Sequence, residues 1–218
     1  MPGRAVLTPD DRRALADLAP VLRRATDLDP RSLARLKLTG EAAMVLVRLP
    51  FGVLVSRTVR TASVRAEPVD VAVRADAALA WLDDETAAMP AAEDAAWRTG
   101  LPPNSGWRRL DTIPDDVVRG LVRRGALALQ EAGDREGVPG AQPRAEVADA
   151  LLDSVVLTVT DEDGRSAEVT LRCLSAVTRM AFLPRGGQVH VDLAGRWVRV
   201  VAEYGSVYLE RPGGLVLR

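Results

Sequence analysis

His190 and Cys173 are the only histidine and the only cysteine of the chain, so a Ser-His-Asp or Cys-His arrangement would have to run through them. His190 alternates with Val189 and Val191 in a stretch of strand character, which turns its ring to the face opposite those valines. Cys173 stands among apolar residues and reads as a small core side chain. Gly205-Ser206-Val207 lacks the pattern of a nucleophile turn, and a half-exposed strand histidine is the stronger reading of His190. Paired carboxylates for acid-base or magnesium chemistry occur at Asp83-Asp84-Glu85 and Glu93-Asp94, but adjacent acids at helix ends are usually solvated. Asp161-Glu162-Asp163-Gly164, with Glu168 beyond, is a fragment of a calcium loop without its twelve-residue ligand spacing. Gly186-Gly187 and Gly213-Gly214 stand without a GxGxxG run or a phosphate-binding lysine, so no tightly bound nucleotide is expected. The reading is of no catalytic residue, no metal and no cofactor.

The densest functional signal is instead basic and aromatic, within residues 106–131. Trp107, Arg108 and Arg109 precede a segment, 114–131, whose pattern predicts a helix. Thr112 or Asp111 caps it, Pro114 fits its first turn, and Asp115 and Asp116 suit the positive end of the helix dipole. Val117, Val118, Leu121, Val122, Gly125 and Leu129 make the stripe expected to be buried, and Gly133 is the expected stop. Arg119, Arg123 and Arg124 form the opposite face. These guanidinium groups suit phosphates, and Trp107 suits stacking on a base or sugar. The alternative is a solvated face whose arginines pair with Asp111, Asp115, Asp116 or acids elsewhere.

Composition bounds both readings. The formal net charge of −1 argues against a surface built throughout for nucleic acid, while leaving room for a local patch. Of 29 basic residues only Lys37 is a lysine, and Ile113 and Asn104 are the sole isoleucine and asparagine. This points to a GC-rich coding sequence of the actinobacterial kind, in which arginine clusters carry less chemical weight. One cysteine excludes an intrachain disulfide and fits a reducing cytosol. The longest clean apolar run, residues 42–47, is far too short to span a bilayer, and the N-terminus lacks the apolar core of a signal peptide. A cytoplasmic protein with no membrane partner is expected.

Several elements must position these side chains. Thr8 caps a helix running to Arg24, and a second helix follows over 30–36. Residues 44–49 and 53–64 read as a hairpin around Pro50-Phe51-Gly52, extended by 69–73, before an alanine-rich helix over 76–84. Residues 89–104 form a docked loop, and 133–143 have the strongest linker composition. Beyond them come a helix near 145–152, a hairpin of 155–160 and 167–172 around Gly164, a helix over 174–182, and strands at 188–193, 197–202 and 206–209. The fold class is α+β, with two small lobes of helices and antiparallel sheet, residues 1–133 and 144–218. A faint internal likeness between the segments starting at Ala34 and Thr178 favours lobes of similar build.

A patterned fold with aromatic and arginine anchors but no catalytic set reads as a non-enzymatic binding or scaffold protein, acting through a protein partner or as a homodimer. The alternative is nucleic-acid binding through the helix at 114–131. A further alternative is a hydrolase or transferase using the acidic clusters with His190.

Overall fold

The computed structural model describes residues 9–39, 41–61, 69–84, 89–135 and 141–211. The expected cap at Thr8, the Gly213-Gly214 pair and most of the strand end beyond Thr61 lie outside them. The chain divides into two units, Met1–Leu101 and Pro102–Arg218. The boundary therefore falls in the proline-rich segment before Trp107 and not at 133–143. The helices on either side of 133–143 pack on one another, so the flexible composition there joins neighbours within one unit.

Unit 1 opens with α1 (Pro9–Ala16) and α2 (Ala19–Leu28) where one helix is expected. Pro20 lacks the N–H that would bond back to Ala16, and the helix restarts around it. Four strands follow: β1 (Leu33–Leu38), β2 (Ala42–Arg48), β3 (Leu54–Arg60) and β4 (Val69–Arg74), the last running directly into α3 (Ala75–Asp83). The helix expected over 30–36 is a strand. Ala34, Leu36 and Leu38 are buried in strict alternation, a period of two that a helix cannot place on one face. The strands run antiparallel in the order β4-β1-β2-β3, and Leu36 lies opposite Val45 on one side and Val71 on the other. Gly52, at φ +83°, lets the β2–β3 turn close with Leu49 and Val53 paired at 2.9 Å. The helices cover the sheet with Leu15, Leu18, Leu22 and Trp81, all buried.

Unit 2 contains β5 (Arg108–Pro114), α4 (Asp115–Arg135), α5 (Ala141–Leu152), β6 (Val155–Thr160), β7 (Ser166–Thr170), α6 (Leu171–Arg179), β8 (Gln188–Ala194), β9 (Trp197–Ala202) and β10 (Gly205–Glu210). Its main sheet is antiparallel in the order β5-β8-β9-β10, and β6 and β7 form a separate hairpin. Residues 108–114, expected to be a loop and a helix start, are a strand ending at Pro114, and α4 runs past Gly133 to Arg135. Register explains the strand, since Thr112 and Ile113 pair with His190 and Val189 on β8. α6 carries a fully buried row from Leu171 to Val177 and packs against α4. At Gly125 the two helices approach so closely that a Cβ would overlap the Leu171 side chain.

Both units are thus α+β lobes of similar build. Each has a three-strand meander with a fourth strand beside its first, and that fourth strand leads straight into a helix.

Candidate functional site

The six residues singled out by sequence fall on two elements of unit 2. Trp107, Arg108 and Arg109 stand at the start of β5, whereas Arg119, Arg123 and Arg124 lie on α4.

β5 is held by Leu110 and Ile113, which are buried. Across the sheet, Arg109, Asp192, Arg199 and Tyr208 are successive register partners on β5, β8, β9 and β10, and so share one face. The Asp192 carboxylate is only 3% exposed, and its Oδ2 accepts hydrogen bonds from Arg199 Nη2 at 2.6 Å and Nε at 2.9 Å. Its Oδ1 makes no hydrogen bond among the described residues but lies 3.5 Å from Arg109 Nε. The Arg199 guanidinium in turn lies 4.2 Å from the centre of the Trp107 ring. Trp107 also meets Tyr208 with ring centroids 5.8 Å apart at 59°, and its indole N–H donates to the Pro103 carbonyl at 2.9 Å. Trp107 is an anchored ring, with a cation already on its face.

Beside this row, His190 Nδ1 lies 2.9 Å from Thr112 Oγ1. Burial, and then the positive charge of Arg109, lower its pKa below the ordinary value, with Asp192 opposing them. The ring is therefore neutral at neutral pH. Arg108 pairs with Asp163 at 2.8 Å, and Arg165 also reaches Asp163 at 2.7 Å, so the acidic hairpin turn is balanced by arginines.

On α4, Arg119 is tied down. Its Nε reaches Asp115 Oδ2 at 3.2 Å and its Nη2 donates to the Leu183 carbonyl at 2.8 Å. The Gly186 N–H and then Arg119 hold the Asp115 carboxyl below the usual carboxylate range. Arg123 and Arg124 differ, being exposed and without an ion pair to any described residue. Around them the helix leaves Val117 41%, Leu127 52% and Leu129 40% exposed. Val117 and Leu129 were expected in the buried stripe. Instead Val118 carries the burial, with Leu121, Val122 and Gly125 half-buried. Positions 117, 120, 124 and 127 share one side of the helix, and the Arg124 guanidinium lies over Gly120 on that side.

Nucleophilic chemistry finds little support in this geometry. Cys173 is wholly buried and desolvation pushes its thiol up to about 11, far from the thiolate that attacks. Among the described residues no group of three His, Cys, Asp or Glu side chains is placed to hold a metal. Charge and contact area are what unit 2 offers. Sequence reasoning missed Asp192 and Arg199. The alternation that put His190 on one face also put Asp192 there, but only strand register reveals Arg199 as its partner.

The fold defined by these lobes is that of the DNA polymerase sliding clamps. The DNA polymerase III subunit beta of Pseudomonas aeruginosa superposes with a TM-score of 0.57 at 13% identity, over 93% of this chain and 64% of that one. The beta subunit of Streptococcus pyogenes DNA polymerase gives 0.55 at 10% identity, over 92% and 64%. The Helicobacter pylori beta clamp bound to a DNA ligase peptide gives 0.51 at 10% identity, over 90% and 64%. The chain thus spans less than two thirds of the length of these clamps. By sequence it belongs to the family described as Domain of unknown function (DUF8185), whose model matches residues 102–214, and residues 2–99 match the model described as Domain of unknown function (DUF8010). No curated protein matches the chain. No helix among the described residues is long and apolar enough to cross a membrane.

Proposed function

We propose that this chain is a non-catalytic scaffold that works through protein contacts, with α4 as its contact helix. The observation that carries this reading is the outward side of α4. Val117 and Leu127 stand exposed on that side with Arg124 between them, and Arg123 and Arg124 lack ion pairs with described residues. Apolar side chains mixed with arginine are what protein interfaces favour. The clamp fold supports the reading, since a clamp of that fold is described with a DNA ligase peptide bound. Trp107, Arg108 and Arg109 form a secondary contact edge, preorganised by Asp192 and Arg199. The partner is another protein or a second copy of the chain, and the setting is cytoplasmic.

The test is sedimentation velocity and cross-linking of the full chain, alone and with cytosolic extract of its source. Leu127→Glu with Val117→Ser is expected to abolish the association that wild type shows. Association unchanged in that variant would remove α4 from the reading.

A second reading rests on Arg123 and Arg124 alone, as a phosphate-contacting pair on a helix. Anisotropy of labelled duplex DNA should then fall off with salt, and Arg123→Ala/Arg124→Ala should reduce the log-log salt slope by about 2, roughly one for each lost phosphate contact. Arg119 is left out of the variant because it is bound to Asp115 and Leu183. Absence of binding at low salt would remove this reading.

A further inference from the structure

Unit 1 holds a cleft of about 450 Å³ between the α2–β1 turn, the end of β2 with its turn, and the segment following the short 3-10 turn Asp94–Ala96. Arg31 comes from the first, Arg48 and Leu49 from the second, Trp97 and Arg98 from the third. This volume lies within the usual range of small-molecule sites.

Each wall is fixed by backbone hydrogen bonds. The Arg31 N–H donates to Asp29 Oδ1 at 2.9 Å, so the carboxylate lining the cleft already has a donor. The Leu49 N–H donates to Val53 at 2.9 Å, and the Trp97 N–H to Asp94 at 3.1 Å. Asp94 is itself tied to β4, its Oδ1 accepting the Ala72 N–H at 2.8 Å. The Trp97 indole N–H donates to the Thr99 carbonyl at 2.8 Å, which leaves the half-buried ring to offer apolar surface.

The cations are in the opposite condition. Arg31, Arg48 and Arg98 are exposed and form no ion pair with any described residue. Other arginines of the unit are paired, as Arg35 with Asp70 at 2.6 Å and Arg74 with Asp76 at 3.1 Å. Three permanent cations, one engaged carboxylate, an indole and the buried Leu49 make a site for an aromatic body carrying several negative charges. Guanidinium groups take phosphate oxygens in pairs, and an indole stacks on any nucleobase. No glycine-rich loop is needed when side chains supply the donors. We infer that this cleft binds a nucleoside phosphate, with Arg31, Arg48 and Arg98 on the phosphates and Trp97 against the base. The inference is independent of the α4 reading, since the residues it rests on all lie in unit 1.

Calorimetric titration of the full chain at low salt with ADP, adenosine and tripolyphosphate tests it. ADP is expected to bind more tightly than either fragment. Arg31→Gln/Arg48→Gln/Arg98→Gln should weaken ADP by about 100-fold or more, as expected for lost charge-assisted contacts, and Trp97→Leu by about tenfold, the scale of one stacked base. Arg123→Ala/Arg124→Ala should leave ADP binding unchanged. Single Arg→Gln variants, each expected to lose several-fold, keep the test open if the triple variant folds poorly. Three outcomes overturn the inference: no heat with millimolar ADP, ADP affinity unaltered in the arginine variants, or tripolyphosphate binding as tightly as ADP with no response to Trp97→Leu.

Discussion

Trp97 and Trp107 each hang from an irregular segment, and each donates its indole N–H to a carbonyl of its own loop, Thr99 at 2.8 Å and Pro103 at 2.9 Å. Each also has arginine close by. Beyond that the surroundings diverge. The guanidinium over Trp107 belongs to Arg199, already neutralised by the buried Asp192 at 2.6 Å. The guanidinium groups that share a cleft with Trp97 form no ion pair with any described residue, and the one carboxylate lining the cleft, Asp29, accepts the Arg31 backbone N–H. The same two residue types therefore serve internal order in one unit and stand available to a ligand in the other. What separates them is whether the charge is balanced within the fold.

The strongest way to break this comparison is to remove one arginine from each side. Arg199→Ala leaves Asp192 buried without its main partner and is expected to cost about 3–5 kcal/mol in urea unfolding. Arg48→Ala should stay within about 0.5 kcal/mol, as for other surface changes. Equal losses would show that the Trp97 arginines also hold the fold together. The Trp107 stack sharpens the contrast further. Trp107→Leu removes the ring face beneath Arg199 and should cost about 1–2 kcal/mol, and a double-mutant cycle with Arg199→Ala should be non-additive. Arg108→Ala, which breaks only an exposed pair with Asp163, should cost at most about 1 kcal/mol and lose that effect in high salt.

The smallest expected effect is that of pH on the Trp107 side. The fold lowers the pKa of His190, so below its ordinary value near 6.5 the unfolded chain binds the proton more readily than the folded one. Stability from this group is intact above that value and falls as pH drops from there toward the lowered folded pKa. Melting curves between pH 7.5 and 5.5 should show a decline that is shallower in His190→Asn, whereas Trp97→Leu should leave the decline as steep as in wild type. A wild-type decline no steeper than that of His190→Asn would mean that the ring is not desolvated beside Arg109.

Much of the architecture was legible in the chain. The meander over 188–210, the hairpin closed by Gly164, the turn at Gly52 and the long helix beginning at Asp115 all follow from period, turn chemistry and charge placement. Legibility failed where two periods compete over few residues. Leu33–Leu38 offered Leu33 and Leu36 at helical spacing and Ala34, Leu36 and Leu38 at strand spacing, and the neighbouring strands β2 and β4 selected the second. Arg108–Pro114 carried helix-start residues, yet pairing with β8 made it a strand.

For the sites the division is sharper. The sequence by itself determined the residue inventory. It excluded an intrachain disulfide, offered no spaced metal or nucleophile set, and supplied arginine along most of its length with four tryptophans among it. Only the tertiary structure decided which arginines are neutralised. Arg199 and Asp192 are 7 residues apart across a hairpin, and Arg108 and Asp163 are 55 apart. Arg31, Arg48 and Arg98 meet at one cleft from three separate segments. Charge balance depends on distances of a few ångströms, and those distances are fixed by strand register and packing and not by spacing along the chain.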